Sequence, residues 1–480
     1  MYIDVIFRNK SKMTNRLYSY YSSEDVEVGM RVIVPFGKSN INKLALVVKI
    51  NDNPRKDIDY KEIISVVDLN PIVTQESIDI AFFMVDKYLS DYSSAFQTIL
   101  PPGNFEELKE YFTANDKLLN VDEDLYNILK TKKEYSEIKE ISDISHKKLM
   151  EYVKSDFLKM DLVYDQQITP KFLKYVKLIE DNPVISKRAN AQQKIVDMLK
   201  TKKNILYSEL LAKTNTTSSV VKALEEKKIV EIYFKEVDRV VVDDTRTYQK
   251  IKLNSQQEKA YNSILENQFN LLHGVTGSGK TEVYLHLVEK MLNEGKDSIV
   301  LVPEISLTPQ TIERFEGRFP GKVAIIHSKL NVNEKFEQFR KMYNGEYKIV
   351  VGARSAVFSP FKNLGLIIID EEHETSYVSE KNPKYNAIDI SGFRAEYNNA
   401  KLLLGSATPG VEEYSKALKG EYNLIEMNKR ANDTNPVECT IVDMRKELET
   451  GNIRMFSKVL LNKIQENLNN KKQTILFLNK

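Results

Sequence analysis

One stretch of this sequence decides its fold class: Gly274-Val275-Thr276-Gly277-Ser278-Gly279-Lys280-Thr281. It fits the P-loop pattern G-x-x-x-x-G-K-[ST], with an apolar run before it (Phe269–His273) and a segment of helical spacing after it (Glu282–Met291). The glycines allow the backbone to wrap a phosphate chain with its N–H groups pointing inward, and the next helix presents its positive end to the same anion. We expect Lys280 to neutralise the β- and γ-phosphates of a nucleotide and the Thr281 hydroxyl to ligate Mg²⁺.

A second apolar run, Leu366–Ile369, ends in acidic residues that begin 90 positions beyond Lys280. Acidic residues at the carboxyl end of a parallel strand lie where α/β sheets bind ligands. We therefore expect Asp370 to hold Mg²⁺ and Glu371 to polarise the attacking water. A structural glycine-rich turn or a solvated acidic loop could explain either motif alone, but the two motifs together predict an NTP hydrolase.

Apolar runs separated by helical segments continue on both sides of these motifs: Ser298–Val302, Val323–Ile326, Lys348–Val351 and Leu402–Leu404. Continuous apolar strands with intervening helices are typical of a parallel sheet that is covered on both faces. The sequence therefore predicts an α/β P-loop domain with a parallel sheet over residues 250–425. The segment Asn423–Arg454 is less regular, and a final helix–strand pair, Val459–Leu468 and Thr474–Leu478, follows it.

The N-terminal part is rich in β-branched residues and turn residues, which predicts four strands: Tyr2–Phe7, Arg31–Val34, Leu44–Ile50 and Ile63–Val67. Ile78–Leu89 has helical spacing, and Pro101-Pro102-Gly103 marks the end of this part. A small β-barrel or sheet domain over residues 1–105 is the expected product.

An internal repeat lies between these two parts. The run LKTKKEYSEI at Leu129–Ile138 recurs as LKTKKNILYSEL at Leu199–Leu210, and the similarity continues downstream at an offset of 72 residues. Each copy predicts two short helices, a polar turn, a third helix and a short strand, which is the order of a winged-helix-like α+β unit. The third helix of such a unit often lies against nucleic acid. Over residues 115–240 we therefore expect either DNA-binding units or a pair of helical spacers.

The bulk composition is that of a globular protein of several domains, with 480 residues, 42% of them hydrophobic and 29% charged. No stretch of 18 apolar residues appears, so we expect no membrane span. The single cysteine, Cys439, excludes a disulfide framework within the chain and favours a reducing, cytoplasmic setting. The net charge of only +2 indicates that any DNA binding uses local sites rather than bulk charge.

Further motifs indicate which kind of NTP hydrolase the sequence encodes. LVPEISLTPQ, VGARSAVFSPF and GSATP follow successive strands, and in this order they look like the DNA-contacting and coupling motifs of superfamily 2 helicases. Together with GVTGSGKTEVY, the pair His327-Ser328 and DEEH, they closely resemble the primosomal protein N′ family of replication-restart helicases. The resemblance covers nearly all of the chain, and it implies a RecA-like motor domain that binds ATP and Mg²⁺.

The resemblance also implies roles for particular residues of the motor. Gln257, in Leu253-Asn254-Ser255-Gln256-Gln257, matches the position that reads the adenine base. His373, Ser406 and Thr408 match coupling positions, and Arg354 matches a DNA-contacting position. Tyr377 and Tyr385 lie in what resembles an aromatic-rich loop that would stack on unpaired bases. Core packing is the alternative for these two tyrosines, because aromatic residues often form the core.

Near the N-terminus, Val34-Pro35-Phe36-Gly37-Lys38 is similar to a loop of the family's domain for the 3′ end of a DNA strand. Gly37 and Lys61 match positions of that 3′-end pocket. Tyr18 matches an aromatic position, and Ser19 stands where an aspartate is usual.

The function that the resemblance implies is an ATP-dependent 3′→5′ DNA helicase that recognises stalled forks and initiates primosome assembly. Its implied partners are forked DNA, single-stranded DNA, other primosome proteins and single-stranded DNA-binding protein, with no membrane. Family members bind zinc through a cysteine-rich insertion, whose ligands this sequence lacks. Residues 426–480 resemble a linker and the start of a second motor domain, so we expect a shortened chain that ends at Lys480. The alternative is a DNA- and ATP-binding module without unwinding activity.

Overall fold

A parallel sheet surrounds the P-loop in the computed structural model of the chain, and antiparallel sheets precede it in the sequence. The structure describes residues 1–7, 15–37, 40–52, 54, 59–103, 108–164, 172–180, 183, 185–186, 189–236, 248–431 and 439–477. The chain divides into two units, Met1–Ala431 and Asn432–Lys480.

The N-terminal sheet is built from β1 (Tyr2–Ile6), β2 (Tyr18–Tyr21), β3 (Arg31–Phe36), β4 (Ile41–Ile50) and β5 (Ser65–Val66). These strands pair antiparallel in the order β2-β1-β4-β3-β5. The four predicted strands are all present, although the last is shorter than predicted. Two helices follow, α1 (Gln75–Tyr88) and α2 (Tyr92–Ile99), and their buried side chains join a core that continues into the parallel-sheet part of the same unit.

The internal repeat forms two units of the same element order. The first comprises β6 (Leu108–Ala114), α3 (Glu123–Leu129), β7 (Lys133–Glu134), α4 (Tyr135–Ile141), α5 (His146–Lys154) and β8 (Leu158–Tyr164). The second comprises β9 (Phe172–Leu178), α6 (Asn190–Thr201), β10 (Asn204–Leu206), α7 (Tyr207–Thr214), α8 (Ser218–Glu226) and β11 (Val230–Glu236). The helices and final strand follow the predicted order. The leading strand and the short middle strand of each repeat, which complete the sheets β7-β6-β8 and β10-β9-β11, were not predicted.

Residues that lie 72 positions apart in the two repeats occupy equivalent positions in the two cores. Ile138 and Leu210 are both 0% exposed, and so are Leu149 and Val221. The two sets nevertheless belong to separate hydrophobic clusters, one in each repeat. Each repeat therefore has a small core of its own.

The motor part contains a seven-stranded parallel sheet of order β14-β15-β13-β16-β17-β12-β18. Its strands are β12 (Phe269–Gly274), β13 (Asp297–Leu301), β14 (Val323–Ile326), β15 (Ile349–Gly352), β16 (Leu364–Asp370), β17 (Lys401–Ser406) and β18 (Asn423–Met427). The helices are α9 (Ser255–Glu266), α10 (Lys280–Asn293), α11 (Pro309–Arg318), α12 (Val332–Tyr343), α13 (Ala387–Asn398) and α14 (Val411–Leu418). This arrangement confirms the predicted multidomain fold with a parallel α/β motor domain.

The strands are continuously apolar because both faces of this sheet are covered. In β16, Ile367 and Ile369 pack into one hydrophobic cluster, while Leu366 and Ile368 pack into another on the opposite face. One difference concerns Asn423–Arg454, which the sequence analysis described as less regular. Residues 423–427 form β18, which pairs in parallel with β12 and so extends the sheet to the P-loop side.

The second unit, described by itself, contains α15 (Met444–Glu449) and α16 (Lys458–Asn469). The strand predicted at Thr474–Leu478 is not observed over residues 474–477, where Ile475 and Phe477 are 94% and 86% exposed and pair with no strand among the described residues. Leu478 lies outside the described residues. Throughout the described part of the chain, no helix is both long enough and apolar enough to cross a membrane.

The separate cores of the two repeats lead to a prediction. Replacing Ile138 with Ala, or Leu210 with Ala, removes a fully buried aliphatic side chain and should lower the free energy of local unfolding by about 2–5 kcal/mol. Native-state hydrogen exchange should report this loss only in the repeat that carries the change. The control is Ile141→Ala, at a position 57% exposed on the same helix as Ile138, where we expect an effect within about 0.5 kcal/mol. Equal loss of protection in both repeats would show that they unfold as one body.

Candidate nucleotide site and DNA-binding surface

The P-loop connects β12 to α10 and carries backbone angles that favour glycine. Gly277 and Gly279 have φ angles of 81° and 84°, in the left-handed region. At Gly279 a Cβ atom would also displace the amide group of Gln257 from its present position. The pattern of glycines in the sequence thus corresponds to a loop that can curl around an anion at the start of a helix.

Lys280 is the first residue of α10 and is only 9% exposed. Its Nζ atom donates a hydrogen bond to the carbonyl oxygen of Gly274 at 2.9 Å and lies 3.8 Å from Oε1 of Glu371. The lysine therefore lies between the glycine-rich loop and the acidic motif, as expected for a phosphate-binding cation. The Oγ atom of Ser278 is buried without a hydrogen-bond partner among the described residues, which leaves a donor inside the loop for an anion.

Gln257 forms a capping box with Asn254 at the start of α9. Its Nε2 atom lies 3.2 Å from the carbonyl oxygen of Ser278 and 3.5 Å from that of Gly279, so its amide donates to the P-loop backbone. This contact ties the predicted base-reading residue to the phosphate-binding loop.

Asp370 ends β16 at the same edge of the sheet as the P-loop. Its Oδ1 atom accepts a hydrogen bond from the hydroxyl of Tyr284 at 2.9 Å, and its backbone carbonyl lies 2.6 Å from the hydroxyl of Tyr377. Burial, reinforced by the neighbouring charge of Glu371, raises the pKa of the Asp370 carboxyl above its ordinary value. A bound cation would therefore compensate the negative charge of the buried Asp370 carboxylate.

Tyr284 is a site residue that the sequence analysis missed. It is 1% exposed on α10, and burial together with the charge of Asp370 raises its pKa well above the ordinary value. Gly405 leaves the space for it, since a Cβ atom at that position would lie 1.9 Å from the tyrosine hydroxyl. In the sequence, only the spacing could have indicated Tyr284, because a residue four places after Lys280 lies on the same face of the helix.

The predicted coupling residues are brought together beside Glu371. Nδ1 of His373 lies 2.7 Å from Oγ of Ser406 and 3.7 Å from Oε2 of Glu371. The same Ser406 oxygen accepts a hydrogen bond from the backbone N–H of Thr408 at 3.0 Å. Glu371 itself has a φ angle of 47°, a left-handed conformation that is uncommon for a residue with a side chain. A hydrogen-bonded path thus connects the acidic motif with GSATP.

The segment after β18 forms a strap over the P-loop that the sequence did not indicate. The backbone N–H of Val275 donates to Met427, and that of Ala431 donates to Gly277, at 3.0 and 2.8 Å. Since both bonds join backbone atoms, no side-chain pattern could have predicted them.

Tyr377 and Tyr385 occupy the core in this structure, at 1% and 6% exposure. Arg354 contacts both places, because its Nη1 atom donates to the carbonyl oxygens of Ser376 and Val378 on either side of Tyr377, and its guanidinium lies 5.7 Å from the centre of the Tyr385 ring. Both rings are thus packed in the core in this structure, which is the alternative that the sequence left open, and their stacking on unpaired bases stays a prediction.

The candidate DNA-end residues lie on the N-terminal sheet. Nζ of Lys61 donates to the carbonyl oxygen of Gly37 at 2.6 Å, and so holds the loop that follows β3. The Tyr18 ring stacks on Phe7 with ring centres 4.8 Å apart, and the Arg16 guanidinium lies 5.0 Å from the centre of the Tyr18 ring. The hydroxyl of Ser19, where an aspartate was expected, donates to a carboxylate of β1, Oδ1 of Asp4, at 2.5 Å. Lys38, also part of the predicted loop, lies outside the described residues.

No group of three or more His, Cys, Asp and Glu side chains that could hold a metal ion occurs within the described part of the chain. Cys439 is a free, exposed thiol. The magnesium prediction therefore rests on Thr281 and Asp370 together with a bound nucleotide.

The raised pKa of Asp370 leads to a second prediction. In the apo protein its charged form is disfavoured, so the native state loses stability as the pH rises from below about 4, the ordinary value of an aspartate, through the raised folded value. Asp370→Asn keeps the oxygen that accepts from Tyr284 but removes the charge, and should raise the thermal unfolding midpoint at neutral pH without nucleotide or metal. This gain should disappear as the pH falls below about 4.

The matched control for this measurement is Asp52→Asn, at an exposed position just after β4. A thermal shift of the same size in the control would contradict the interpretation that burial disfavours the charged form of Asp370. A gain for Asp370→Asn that does not depend on pH would contradict it as well.

Two protein-family models match the chain. Residues 4–101 match the family described as "3'DNA-binding domain (3'BD)", and residues 254–417 match the DEAD/DEAH box helicase family. The second match contains the P-loop, the acidic motif and GSATP. The first contains the N-terminal sheet and both helices after it.

The chain is also similar to curated proteins named Replication restart protein PriA. The Bacillus subtilis (strain 168) protein is 37% identical over 100% of this chain and 62% of its own length. The Synechocystis protein is 32% identical over 83% of this chain and 51% of its own length, and the Chlamydia trachomatis protein is 39% identical over 59% of this chain and 39% of its own length. The chain thus spans less than two thirds of the relatives that it matches.

Among solved structures, RecG bound to a three-way DNA junction is similar at 25% identity over 39% of this chain and 25% of that chain, with a TM-score of 0.30, which is too low to support a structural argument. The chain thus contains a match to a 3′ DNA-binding domain and a match to a DEAD/DEAH box helicase domain, and along its whole length it is similar to proteins named Replication restart protein PriA.

Proposed function

We propose that this chain is the DNA-end-binding and ATP-binding part of an ATP-dependent 3′→5′ DNA helicase that restarts replication at stalled forks. The observation that carries the proposal is the position of Lys280, between the P-loop carbonyl of Gly274 and the carboxylate of Glu371, in a domain that follows a match to a 3′ DNA-binding domain. Phosphate binding, a water-activating carboxylate and a DNA-end module in one chain are the parts that such a motor requires.

ATP and Mg²⁺ are the proposed cofactors, and the residues present fit them. The unpaired Ser278 hydroxyl and the glycines of the loop suit a phosphate chain, while Asp370 and Thr281 offer the oxygen ligands that Mg²⁺ prefers. When bound, the metal would neutralise negative charge on the phosphate oxygens. Lys280 would bind the phosphates, and Glu371 would accept a proton from the attacking water.

His373 and Ser406 lie within hydrogen-bond distance of each other and beside Glu371. We propose that they relate the protonation and position of Glu371 to the GSATP segment, and so to DNA occupancy. Thr408 supports this link through its backbone bond to the Ser406 hydroxyl. Arg354 remains a proposed DNA-contacting residue of the same motor.

For the N-terminal region we propose that the free 3′ end of a DNA strand binds near Tyr18, Gly37 and Lys61. Two of these residues are linked directly, since the Lys61 side chain donates to the Gly37 carbonyl. The cation over the Tyr18 ring and the nearby aromatic cluster provide the combination of stacking surface and positive charge that binds single strands. The proposed domain limits are residues 1–105 for this region, 115–240 for the repeats, 250–425 for the motor and 426–480 for a linker and the start of a second motor domain.

Forked DNA is the proposed substrate, and primosome proteins and single-stranded DNA-binding protein are the proposed partners. The support is the name of the relatives, replication restart protein, and the pairing of a DNA-end module with a helicase domain. A location in the cytoplasm belongs to the same proposal, since that is where a bacterial chromosome is replicated.

The proposed separation of the ATP and DNA sites predicts the effect of Lys280→Ala. Without the phosphate-binding cation, ATP hydrolysis stimulated by forked DNA should fall to about a hundredth of the parent rate or less, while the affinity for forked DNA remains within about twofold. Steady-state ATPase assays and fluorescence anisotropy with a labelled fork measure the two quantities. Lys290→Ala, on the exposed face of the same helix, is the control and should change neither.

Loss of fork binding by Lys280→Ala would contradict the separation of the two sites. A parent chain that binds forked DNA and ATP, but whose ATPase rate does not respond to DNA, would instead favour a DNA- and ATP-binding module without motor activity.

A further inference from the structure

A buried ion pair joins the N-terminal region, residues 4–101, to the motor. Glu76 lies in the first turn of α1 and Arg394 lies in α13, and their exposures are 6% and 2%. The contact is bidentate, with Nε of Arg394 donating to Oε1 of Glu76 at 2.7 Å and Nη2 donating to Oε2 at 3.1 Å. Asn398, one turn further along α13, donates to the same Oε1 atom at 2.7 Å. The carboxylate is thus held by three donors from one motor helix.

The same arginine holds a motor segment that lies away from Glu76. Its Nη1 atom donates to the carbonyl oxygens of Val357 and Ser359 at 2.5 and 3.0 Å. These two residues belong to VGARSAVFSPF, and Val357 lies in the 3₁₀ turn Arg354–Phe358. Glu76 therefore orients a guanidinium whose remaining donors position the turn.

From this turn a path of hydrogen bonds reaches the ATP site. Arg354, at the start of the turn, donates to the carbonyl oxygens on both sides of Tyr377. The Tyr377 hydroxyl lies 2.6 Å from the carbonyl oxygen of Asp370 and 3.2 Å from that of Leu301. A displacement of the turn would therefore shift the backbone of Asp370, the proposed magnesium ligand.

Stability alone does not account for such a pair. Desolvation of two buried charges offsets much of their attraction, so a well-packed apolar pair is often at least as stable. The guanidinium instead fixes direction, since its planar fork matches one carboxylate and still has donors for two carbonyl groups. This geometry favours a positioning role over simple adhesion between the two parts of the chain.

A second ion pair between the same two helices provides a comparison. Nζ of Lys87 lies 3.0 Å from Oδ1 of Asp389, with side-chain exposures of 44% and 28%. It also joins α1 to α13, but it lies towards solvent and none of its described contacts reaches the turn Arg354–Phe358. An exposed pair of this kind contributes little to stability.

We propose that Glu76 and Arg394 are positioning residues that couple the N-terminal region to the ATP site, by holding the Arg354–Phe358 turn in the conformation that supports Tyr377 and Asp370. The occupancy of the N-terminal region by a DNA end then changes the rate of ATP hydrolysis through this pair. This second statement rests on the proposed function, whereas the mechanical link between the pair and the turn does not.

The first test measures the link without turnover. Glu76→Gln preserves shape but removes the charge, and Lys87→Gln is the matched control on the same helix. Hydrogen exchange of the full chain should show protection falling by about tenfold or more at residues 353–361 and 374–378 in Glu76→Gln, with little change elsewhere in the motor and none in the control. Unchanged protection at these residues, or an equal loss over the whole motor, would overturn the proposal, since the pair would then be irrelevant or only structural.

Arg394→Lys separates charge pairing from positioning. The lysine can still pair with Glu76, but its single ammonium group cannot serve the carboxylate and both carbonyl oxygens in the planar arrangement of the arginine. We expect the same loss of protection at residues 353–361 as in Glu76→Gln. Protection equal to that of the parent chain would mean that charge alone is sufficient, and would contradict a positioning role.

The second test measures coupling, with a single-stranded oligonucleotide that carries a free 3′ hydroxyl. In Glu76→Gln the maximal stimulation of kcat should fall by about fivefold or more, while the oligonucleotide concentration for half-maximal stimulation and the KM for ATP stay within about twofold. Lys87→Gln should match the parent. Stimulation as large as in the parent would overturn the coupling. A parent chain without any stimulation would count against the proposed function and overturn the coupling, while the exchange measurement would still decide the mechanical link.

Discussion

The parallel register of β12, β17 and β16 is the constraint on which the candidate ATP site depends. His273 lies opposite Ser406, and Asp370 lies opposite Gly405, so three neighbouring strands end at one level. Because carboxyl ends of parallel strands meet at the same edge, the P-loop, the acidic motif and GSATP must converge there. Hydrogen bonds within the sheet thus place groups that are far apart in sequence around a single phosphate site.

The strand β17, which lies next to Asp370 in this register, needs a small residue at position 405. Tyr284 crosses from α10 towards the sheet edge to reach Asp370, and only a glycine at position 405 leaves room for its hydroxyl. The Tyr284 hydroxyl donates a hydrogen bond to the buried Asp370 carboxylate but adds no positive charge beside it. A site built in this way holds Asp370 in place while its pKa remains raised, so a bound cation would find an oriented and incompletely compensated ligand.

The sequence predicted those features that are written in local patterns. The glycines of the P-loop and the apolar strands can be recognised within short windows, and the repeat can be recognised by comparing two short windows that lie 72 residues apart. The residues that were missed or misjudged depend on partners distant in sequence. Tyr284 becomes informative only beside Asp370, β18 becomes recognisable only beside β12, and the burial of Tyr377 can be understood only from the two backbone carbonyls near its hydroxyl. The middle strands of the repeats, β7 and β10, were missed for the same reason, since such short strands are defined by pairing more than by composition.

Glu76 and Arg394 are separated by 318 residues, and neither stands out from the many charged residues of this chain. What distinguishes them is burial together with several hydrogen bonds to both side chains, which no single-sequence pattern encodes. Apolar packing can replace the energy of a buried charge pair, but it cannot reproduce the directed hydrogen bonds of a guanidinium. In this fold the hydrogen bonds lead from a helix that follows the N-terminal sheet to a turn that lies two hydrogen bonds from the backbone of Asp370. The pair therefore defines a more specific connection between the N-terminal region and the candidate ATP site than the continuous apolar core around it, whose packing tolerates many side chains and specifies no single path.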